Sequence, residues 1–160
     1  MSSAADLVAL LSERGWTLGI AESLTGGAVS SAVVAVPGAS VVLNGAVVSY
    51  ATPVKHTLLG VDGDLLDEHG PVHPRVAEQM ADGVRAAVAV DGRNADVGVA
   101  TTGIAGPASP DGQPVGTVHI GIATPAGTRS VAFRFGGDRE EIRRQSVDAA
   151  ISTALRTLQE

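Results

Sequence analysis

The hydrophobic core of this chain has to be built almost without aromatic side chains. Its 160 residues include one Trp, one Tyr and two Phe, although hydrophobic residues as a whole make up 44%. Such a core consists of Val, Leu, Ile and Ala, which is typical of buried parallel strands covered by helices on both faces. The length is that of one compact domain, so we predict a single domain over residues 1–160.

The order of aliphatic runs and helical patterns predicts the fold class. Apolar residues at helical spacing predict helices at 4–14 and about 28–35, a helix opening at Thr52-Pro53, one from Pro74 and one capped by Asp138. Aliphatic runs predict strands at 16–20, 46–50, 96–101, 115–123 and 128–135, of which the last two form an antiparallel hairpin. Helices and strands alternate first and the hairpin comes late. This order predicts an α/β fold, a three-layer α/β/α sandwich with a mixed sheet.

The segment from Ser40 to Gly45 has two interpretations. Asn44-Gly45 between apolar runs is a hairpin signal. Alternatively, Ser40 caps a short helical turn that Gly45 ends, and we favour this second interpretation.

Composition excludes several classes of function. The formal net charge is −6 and the basic residues form no stripe, so we expect no nucleic-acid partner. The absence of cysteine excludes a disulfide framework, a cysteine zinc site and a cysteine nucleophile. Ser23 to Val54 carries no charge, but its glycines and prolines argue against a membrane helix. No signal peptide is recognised, and the expected location is the cytoplasm.

The histidines do not form a metal-binding pattern. His69 and His73 are separated by Gly70-Pro71 and cannot share a helix face as zinc ligands do. His119 falls inside a predicted strand, where a core histidine with satisfied hydrogen bonds is the simpler interpretation. We therefore predict no metal ligands.

Lys55 is the only lysine among eleven basic residues, and Tyr50 is the only tyrosine. Arginine stays protonated in proteins, whereas a partly buried lysine can lose its proton and serve as a base. A single lysine near the lone phenol therefore indicates chemistry. A lysine on a solvated helix explains the same residues equally well, so neighbouring segments must decide.

Three loops follow predicted strands, where open α/β sheets bind their ligands. The first contains Ser23, Thr25, Gly26 and Gly27, and it either binds an anion at a helix N-terminus or simply caps that helix. The second contains Thr102 and Gly103, and its glycines permit close approach of a ligand.

The third loop places Arg139 in the first turn of the last helix, near the positive end of the helix dipole. Either Glu140 and Glu141 or a bound anion offsets this unfavourable position. The residues alone leave both possibilities open.

Six motifs together resemble one known family over about residues 5–158. They are Ala21-Glu22-Ser23-Leu24-Thr25-Gly26-Gly27, Tyr50-x4-Lys55, Leu59-Gly60-Val61, Thr102-Gly103-Ile104-Ala105-Gly106-Pro107, Pro114-Val115-Gly116-Thr117-Val118 and Gly137-Asp138-Arg139. The chain is similar to the C-terminal domain of the competence/damage-inducible protein CinA, also known as the nicotinamide-nucleotide amidohydrolase family. The resemblance implies hydrolysis of nicotinamide mononucleotide to nicotinate mononucleotide and ammonia. It implies neither a metal nor an organic cofactor, and it implies a homo-oligomer.

The resemblance also suggests roles for individual residues. Gly38-Ala39-Ser40 stands where the family has Gly-Ser-Ser, so one of the two serines is replaced and Ser40 is the predicted nucleophile. Lys55 is the predicted base and Tyr50 its orienting partner or an oxyanion donor. Ser23 is the rival nucleophile, because it lies on a strand-to-helix turn like the exposed elbow of other hydrolases. Ser40 is favoured because Tyr50 and Lys55 lie just downstream of it, across one strand.

Substrate contacts are predicted for the remaining residues of the loops. Ser23 and Thr25, with Gly26 and Gly27, are expected to hold substrate through the helix N-terminus. Arg139 is expected to bind the phosphate, while Thr102, beside Gly103, contacts the ribose or the carboxamide. Two other functions fit the same fold: a nucleotide-sensing or partner-binding module without turnover, and an amidase for another small carboxamide.

Overall fold

The computed structural model describes residues 3–160 and contains a five-stranded mixed sheet with helices on both faces. The elements are α1 (Ser3–Arg14), β1 (Leu18–Glu22), α2 (Ala28–Val34), β2 (Leu43–Val48), α3 (Thr52–Leu59), α4 (Gly63–His69), α5 (Pro74–Ala87), β3 (Val97–Gly103), β4 (Thr117–Thr124), β5 (Gly127–Arg134) and α6 (Arg139–Gln159). The predicted fold class, a three-layer α/β/α sandwich with a mixed sheet, is confirmed.

The strand order in the sheet is β2-β1-β3-β4-β5. Strand β1 pairs in parallel with both β2 and β3, whereas β4 is antiparallel to β3 and to β5. The carboxyl ends of β1, β2, β3 and β5 therefore meet at one edge of the sheet. Loops leaving these four strands can converge on a ligand there.

Two aliphatic clusters fill the space on either side of the sheet. Helices α1, α2 and α6 cover one face, where Leu11, Val33 and Ile151 pack with strand residues such as Ile20 and Ile120. The other face is covered mainly by α5, whose buried residues are Val76, Ala77, Met80, Ala81 and Val84. Aliphatic side chains thus form both clusters, as the composition predicts.

Glycines on the strands allow α5 to lie directly on the sheet. A β-carbon added at Gly98 would overlap the backbone carbonyl of Ala81, and one added at Gly121 would overlap that of Ala77. Larger residues at either strand position would push the helix away from the sheet.

Several predicted boundaries and one loop differ from the structure. Strand β1 starts at Leu18 and continues to Glu22, so it reaches the motif that follows it. A short 3-10 helix, Ala39–Val41, supports the favoured helical turn, but its N-cap is Gly38, and Ser40 lies inside it rather than capping it. However, Gly45 does not end that turn, because it lies inside β2 and pairs with Gly19. A hairpin at Asn44-Gly45 is therefore wrong.

Helix α4 was not predicted from the sequence. It has seven residues, buries only Leu66 and begins where the Asp62 side chain accepts a hydrogen bond from the Asp64 amide. So short an element offers too few periodic positions to be recognised. The predicted β4–β5 hairpin is confirmed by eight paired positions. Within residues 3–160, no helix is both long and apolar enough to cross a membrane.

Candidate active site

A buried serine and a buried lysine meet at the carboxyl edge of the sheet. Ser23 directly follows β1, and Lys55 lies in the first turn of α3, which follows the neighbouring parallel strand β2. The Lys55 Nζ lies 2.9 Å from the Ser23 Oγ, within hydrogen-bond distance. Lys55 is 1% exposed and Ser23 is 8% exposed. The strand order thus joins two residues that are far apart in the chain.

The surroundings of Lys55 make its neutral form more accessible than that of a solvent-exposed lysine. Burial lowers the pKa of its amine from 10.5 to about 8, because a charge is poorly solvated there. The Nζ also donates to the backbone carbonyls of Ser49, at 2.6 Å, and Tyr50, at 3.4 Å. A neutral amine has two N–H groups and one lone pair. Because two carbonyls can accept the N–H groups, the lone pair remains for the hydroxyl proton of Ser23.

The structure corrects the prediction that Ser40 is the nucleophile paired with Lys55. Ser40 is exposed in the 3-10 helix that precedes β2, whereas Lys55 follows the other end of that strand. The strand alone separates these two ends by roughly 17 Å. Ser40 borders a different depression, which is formed by residues of 34–43. Ser23, the rival candidate, takes the position beside the lysine.

Tyr50 is also placed differently from the prediction. Its backbone carbonyl accepts a hydrogen bond from Lys55, but its side chain is 61% exposed and its hydroxyl accepts one from Arg139 Nη2, at 3.2 Å. The phenol therefore does not orient the lysine amine. It orients the arginine instead.

A cleft of about 320 Å³ opens beside the Ser23–Lys55 pair. Its walls come from the loops that follow β1, β2 and β3, from the segment before α5 and from the start of α6. The lining residues are Ser23, Leu24, Tyr50, Lys55, Pro71, Val72, Thr102, Gly103, Ile104, Ala105, Gly106, Ala108, Pro110, Asp111 and Arg139. Six of the ten predicted site residues, Ser23, Tyr50, Lys55, Thr102, Gly103 and Arg139, thus line it.

Arg139 brings a positive charge to this cleft. It is the first residue of α6 and donates from Nη1 to the Gly106 carbonyl, at 2.6 Å. With the bond to Tyr50, two of its five N–H groups have partners, so other donors remain for an anion. The helix begins with the predicted Asp138 cap, to which the Glu141 amide donates. A role for Arg139 in substrate binding stays a prediction.

Thr102 and Gly103 line the cleft, but each also has a structural partner. The Thr102 hydroxyl donates to the Pro71 carbonyl at 2.7 Å, which ties the end of β3 to the segment before α5. A β-carbon at Gly103 would lie 2.7 Å from a Val118 methyl group and 2.8 Å from the Thr117 carbonyl. The glycine is therefore required for the close approach of β4. Close approach of a ligand to this backbone stays a prediction.

The N-terminus of α2 is not free to bind substrate, contrary to the prediction. The Glu22 carboxylate is completely buried and accepts hydrogen bonds from the Val29 and Ser30 amides, at 2.9 and 3.0 Å. The Ser30 hydroxyl donates to the same carboxylate. An internal carboxylate thus occupies the anion position at the start of this helix.

The three residues before α2 accordingly lie outside the cleft. Thr25 is fully buried, and its hydroxyl shares a 2.9 Å hydrogen bond with that of Thr101. Gly26 and Gly27 adopt φ angles of 59° and 102°, which a tight turn requires and which glycine tolerates best. Thr25, Gly26 and Gly27 do not line the cleft, so the structure does not support their predicted substrate contacts; these residues shape the turn that presents Ser23.

The histidines are closer together than the sequence suggested. The His69 and His73 rings are 4.5 Å apart. His119 is buried as predicted, but its Nδ1 has no hydrogen-bond partner among residues 3–160, so its hydrogen bonds are not all satisfied there. Burial lowers the pKa of His119, and its neighbour His73 adds to this effect. In the part of the chain that the structure describes, no three His, Asp or Glu side chains are arranged to hold a metal ion.

Sequence analysis missed three groups at the site. Glu22 caps α2, the Ser49 carbonyl binds Lys55, and Arg143 of α6 binds the turn after Ser23. A signal for Glu22 exists, since a helix that starts after Gly27 has no side-chain cap of its own. The other two depend on how distant segments pack, which no local pattern reveals.

The fold and this site define an α/β domain with a buried serine–lysine pair at the carboxyl edge of its sheet. Among known protein families, the CinA C-terminal domain family matches this chain over residues 1–158. The chain belongs to this family, which confirms the resemblance inferred from its motifs.

Relatives of known sequence are longer than this chain. A CinA-like protein from Frankia casuarinae is 45% identical over 152 residues, which cover 95% of this chain and 34% of that protein. A CinA-like protein from Gloeobacter violaceus is 46% identical over 153 residues, which cover 94% of this chain and 35% of that protein. The chain thus spans about a third of the length of these relatives.

Solved structures agree with the fold. A competence-damaged protein (CinA) superfamily protein from Klebsiella pneumoniae superposes with a TM-score of 0.91 at 28% identity, covering 98% of this chain and 96% of that one. A competence/damage inducible protein from Agrobacterium tumefaciens superposes with a TM-score of 0.89 at 32% identity, covering 99% of this chain and 94% of that one.

Proposed function

We propose that this protein is an amidohydrolase that converts nicotinamide mononucleotide to nicotinate mononucleotide and ammonia, with Ser23 as nucleophile and Lys55 as base. The observation that carries the proposal is the 2.9 Å contact between the Ser23 Oγ and a buried lysine amine of lowered pKa, in the wall of a cleft. A serine hydroxyl is a weak nucleophile until a neighbouring base accepts its proton.

The proposed reaction proceeds through a covalent intermediate. The Ser23 Oγ attacks the carboxamide carbon while its proton passes to the Lys55 Nζ. Lys55 then protonates the departing nitrogen, and ammonia leaves behind an ester of Ser23. Water attacks this ester, gives one proton to Lys55 and releases the nicotinate product, after which the proton returns to Ser23. Every proton step uses the same lysine, so no second base is required.

The charges of the cleft suit a nucleotide. The Lys55 end is buried and carries the reactive pair, whereas Arg139 provides a permanent positive charge at the exposed wall. The volume of about 320 Å³ lies at the lower end of the range for small-molecule sites. We therefore orient the substrate with its carboxamide at Ser23 and its phosphate at Arg139.

The direct test is ammonia release from the purified protein and nicotinamide mononucleotide, with identification of nicotinate mononucleotide as the second product. We expect stoichiometric formation of both. If the nucleotide raises the melting temperature without being hydrolysed, the protein is a binding module instead. If a different carboxamide in a substrate panel is hydrolysed faster, the substrate assignment is wrong but the serine–lysine chemistry holds.

Replacing Arg139 with alanine is expected to weaken binding of the phosphorylated substrate in particular. A hydrogen bond between charged groups contributes about 1.5–3 kcal/mol, so KM for the mononucleotide should rise about 10- to 100-fold. Steady-state kinetics with the mononucleotide and with the phosphate-free riboside separate this role from a general one. An equal rise in KM for both substrates would show that Arg139 does not bind the phosphate.

A further inference from the structure

We propose that Arg143 is a positioning residue that holds the turn after Ser23, so that the backbone amide of Leu24, which lines the cleft, serves as an oxyanion donor. This inference rests on the proposed role of Ser23 as nucleophile. It concerns a residue outside the cleft, with a function that the reaction would need.

The guanidinium of Arg143 binds two successive carbonyls of the turn. Its Nε donates to the Leu24 carbonyl at 2.9 Å, and its Nη2 donates to the Thr25 carbonyl at 3.3 Å. Arg143 is half-buried in the second turn of α6, so the contact is partly shielded from water. The position of a β-carbon on Gly26 lies 3.5 Å from the Nη2, which shows how closely the side chain follows the turn. One side chain thus fixes two consecutive peptide groups.

The orientation of these carbonyls determines where the amides point. In a trans peptide, the C=O of one residue and the N–H of the next lie on opposite sides. Because the Leu24 carbonyl points at Arg143, the Thr25 N–H points away from it. The Ser23 carbonyl similarly accepts a hydrogen bond from the Gly26 amide, so the Leu24 N–H points away from the inside of the turn. Both N–H directions are therefore fixed by contacts made on the far side of their peptides.

The two amides have no acceptor within residues 3–160. Neither the Leu24 N–H nor the Thr25 N–H takes part in a hydrogen bond there, although Leu24 is 5% exposed and Thr25 is fully buried. Buried backbone N–H groups without a partner are rare in folded proteins. The Leu24 amide lies in the wall of the cleft, directly after a serine bound to a lysine, and an anion that forms only during reaction explains why it has no acceptor. The amide of the residue after the nucleophile has this role in hydrolases with a nucleophile elbow.

Helix α6 connects this turn to the rest of the cleft. Arg139 and Arg143 are four residues apart and so lie on the same helix face. Arg139 binds the Gly106 carbonyl after β3, and Arg143 binds the turn after β1. The first two turns of α6 therefore fix the relative position of the nucleophile and the opposite wall.

The test uses Arg143→Gln, Arg143→Lys and, as matched control, Arg144→Gln in the full chain. Arg144 is exposed and makes no side-chain hydrogen bond among the described residues. Two rates are measured: turnover of nicotinamide mononucleotide, and covalent labelling of Ser23 by a small fluorophosphonate, followed by intact mass. Labelling also requires an activated serine and stabilised oxyanion, but it does not depend on the natural substrate. Thermal melting monitors folding.

We expect Arg143→Gln to lower both kcat and the labelling rate about 10- to 100-fold, with KM changed less than about threefold. Loss of a single oxyanion donor has an effect of about that size or larger. Arg143→Lys keeps the charge but cannot bind both carbonyls in the same geometry, so its kcat and labelling rate should lie between those of the wild type and of Arg143→Gln. Arg144→Gln should match the wild type. The pH midpoint of the reaction should not move, because the Lys55 contacts are unchanged.

The outcomes separate this inference from the proposed function. If wild-type Ser23 is labelled but the mononucleotide is not hydrolysed, the substrate proposal fails, and the labelling rates of the variants still decide the role of Arg143. Wild-type labelling rates in a folded Arg143→Gln variant would overturn the inference, as would an unreactive Ser23 in the wild type. Should Arg143→Gln not fold, a wild-type rate in Arg143→Lys would overturn it equally.

Discussion

Ser23→Ala is expected to abolish ammonia release, with kcat lower by at least ~10³-fold, because no other group can form the ester intermediate. Binding should change little, since the hydroxyl contributes one contact to a cleft with many others. The measurements are single-turnover kinetics and equilibrium binding of the mononucleotide. Intact mass during turnover should show the acyl adduct in the wild type only.

Ser40→Ala is the matched control for this prediction. It makes the same chemical change at an exposed serine at the opposite edge of the sheet. Its kcat should remain within about twofold of the wild type, as is usual for surface substitutions away from special features. A collapse of kcat in Ser40→Ala with activity retained in Ser23→Ala would reverse our assignment of the nucleophile.

Lys55→Met is expected to lower kcat by about 10²–10⁴-fold, the usual contribution of a well-placed base. Methionine fills a similar volume, so this buried position should keep its packing. Lys55→Arg should be equally inactive, because a guanidinium does not give up its proton in proteins. Steady-state kinetics measure the loss, and circular dichroism confirms that the variants fold. Either variant with wild-type turnover would exclude Lys55 as the base.

The lowered pKa of Lys55 also predicts how activity depends on pH. With the pKa lowered from 10.5 to about 8, roughly a tenth of the amine is neutral at pH 7, compared with about 0.03% at the ordinary value. Because the neutral form is the reactive one, kcat/KM should rise about tenfold per pH unit below pH 8 and level off above it. A profile that is flat from pH 6 to pH 9 would contradict this assignment.

Residual activity of the Lys55 variants provides a control for that profile. If the rise near pH 8 reflects deprotonation of Lys55, the remaining activity of Lys55→Met should lack it. If the activity of the variant still rises with a midpoint near pH 8, the titration belongs to another group.

Chain proximity misled the prediction of the nucleophile. Ser40 is closer to Lys55 in sequence than Ser23 is, but β2 lies between Ser40 and Lys55 and carries them to opposite edges of the sheet. Ser23 is 32 positions away and becomes the neighbour, because β1 and β2 run parallel and end at the same edge. Parallel pairing brings together residues that follow strands, and separates a residue that precedes a strand from one that follows it.

The helix cap shows the same limit at shorter range. The loop from Ser23 to Gly27 has the composition of an anion site, and the helix after it does hold a carboxylate. That carboxylate is Glu22 from the preceding strand, which reaches the Val29 and Ser30 amides. Sequence composition indicated the kind of interaction, but only the path of the backbone showed which group makes it.

The sequence by itself determined the layered α/β fold, the β4–β5 hairpin and the cap of α6, because these follow from periodicity and turn residues. It also singled out Lys55 as a candidate, because lysine occurs only once. Only the tertiary structure decided that Ser23 contacts Lys55, that the Tyr50 hydroxyl contacts Arg139, and that Arg143 binds the turn after Ser23. Those contacts join segments 32, 89 and 119 residues apart. Their geometry arises from strand order and helix packing, which depend on the whole core rather than on any local pattern.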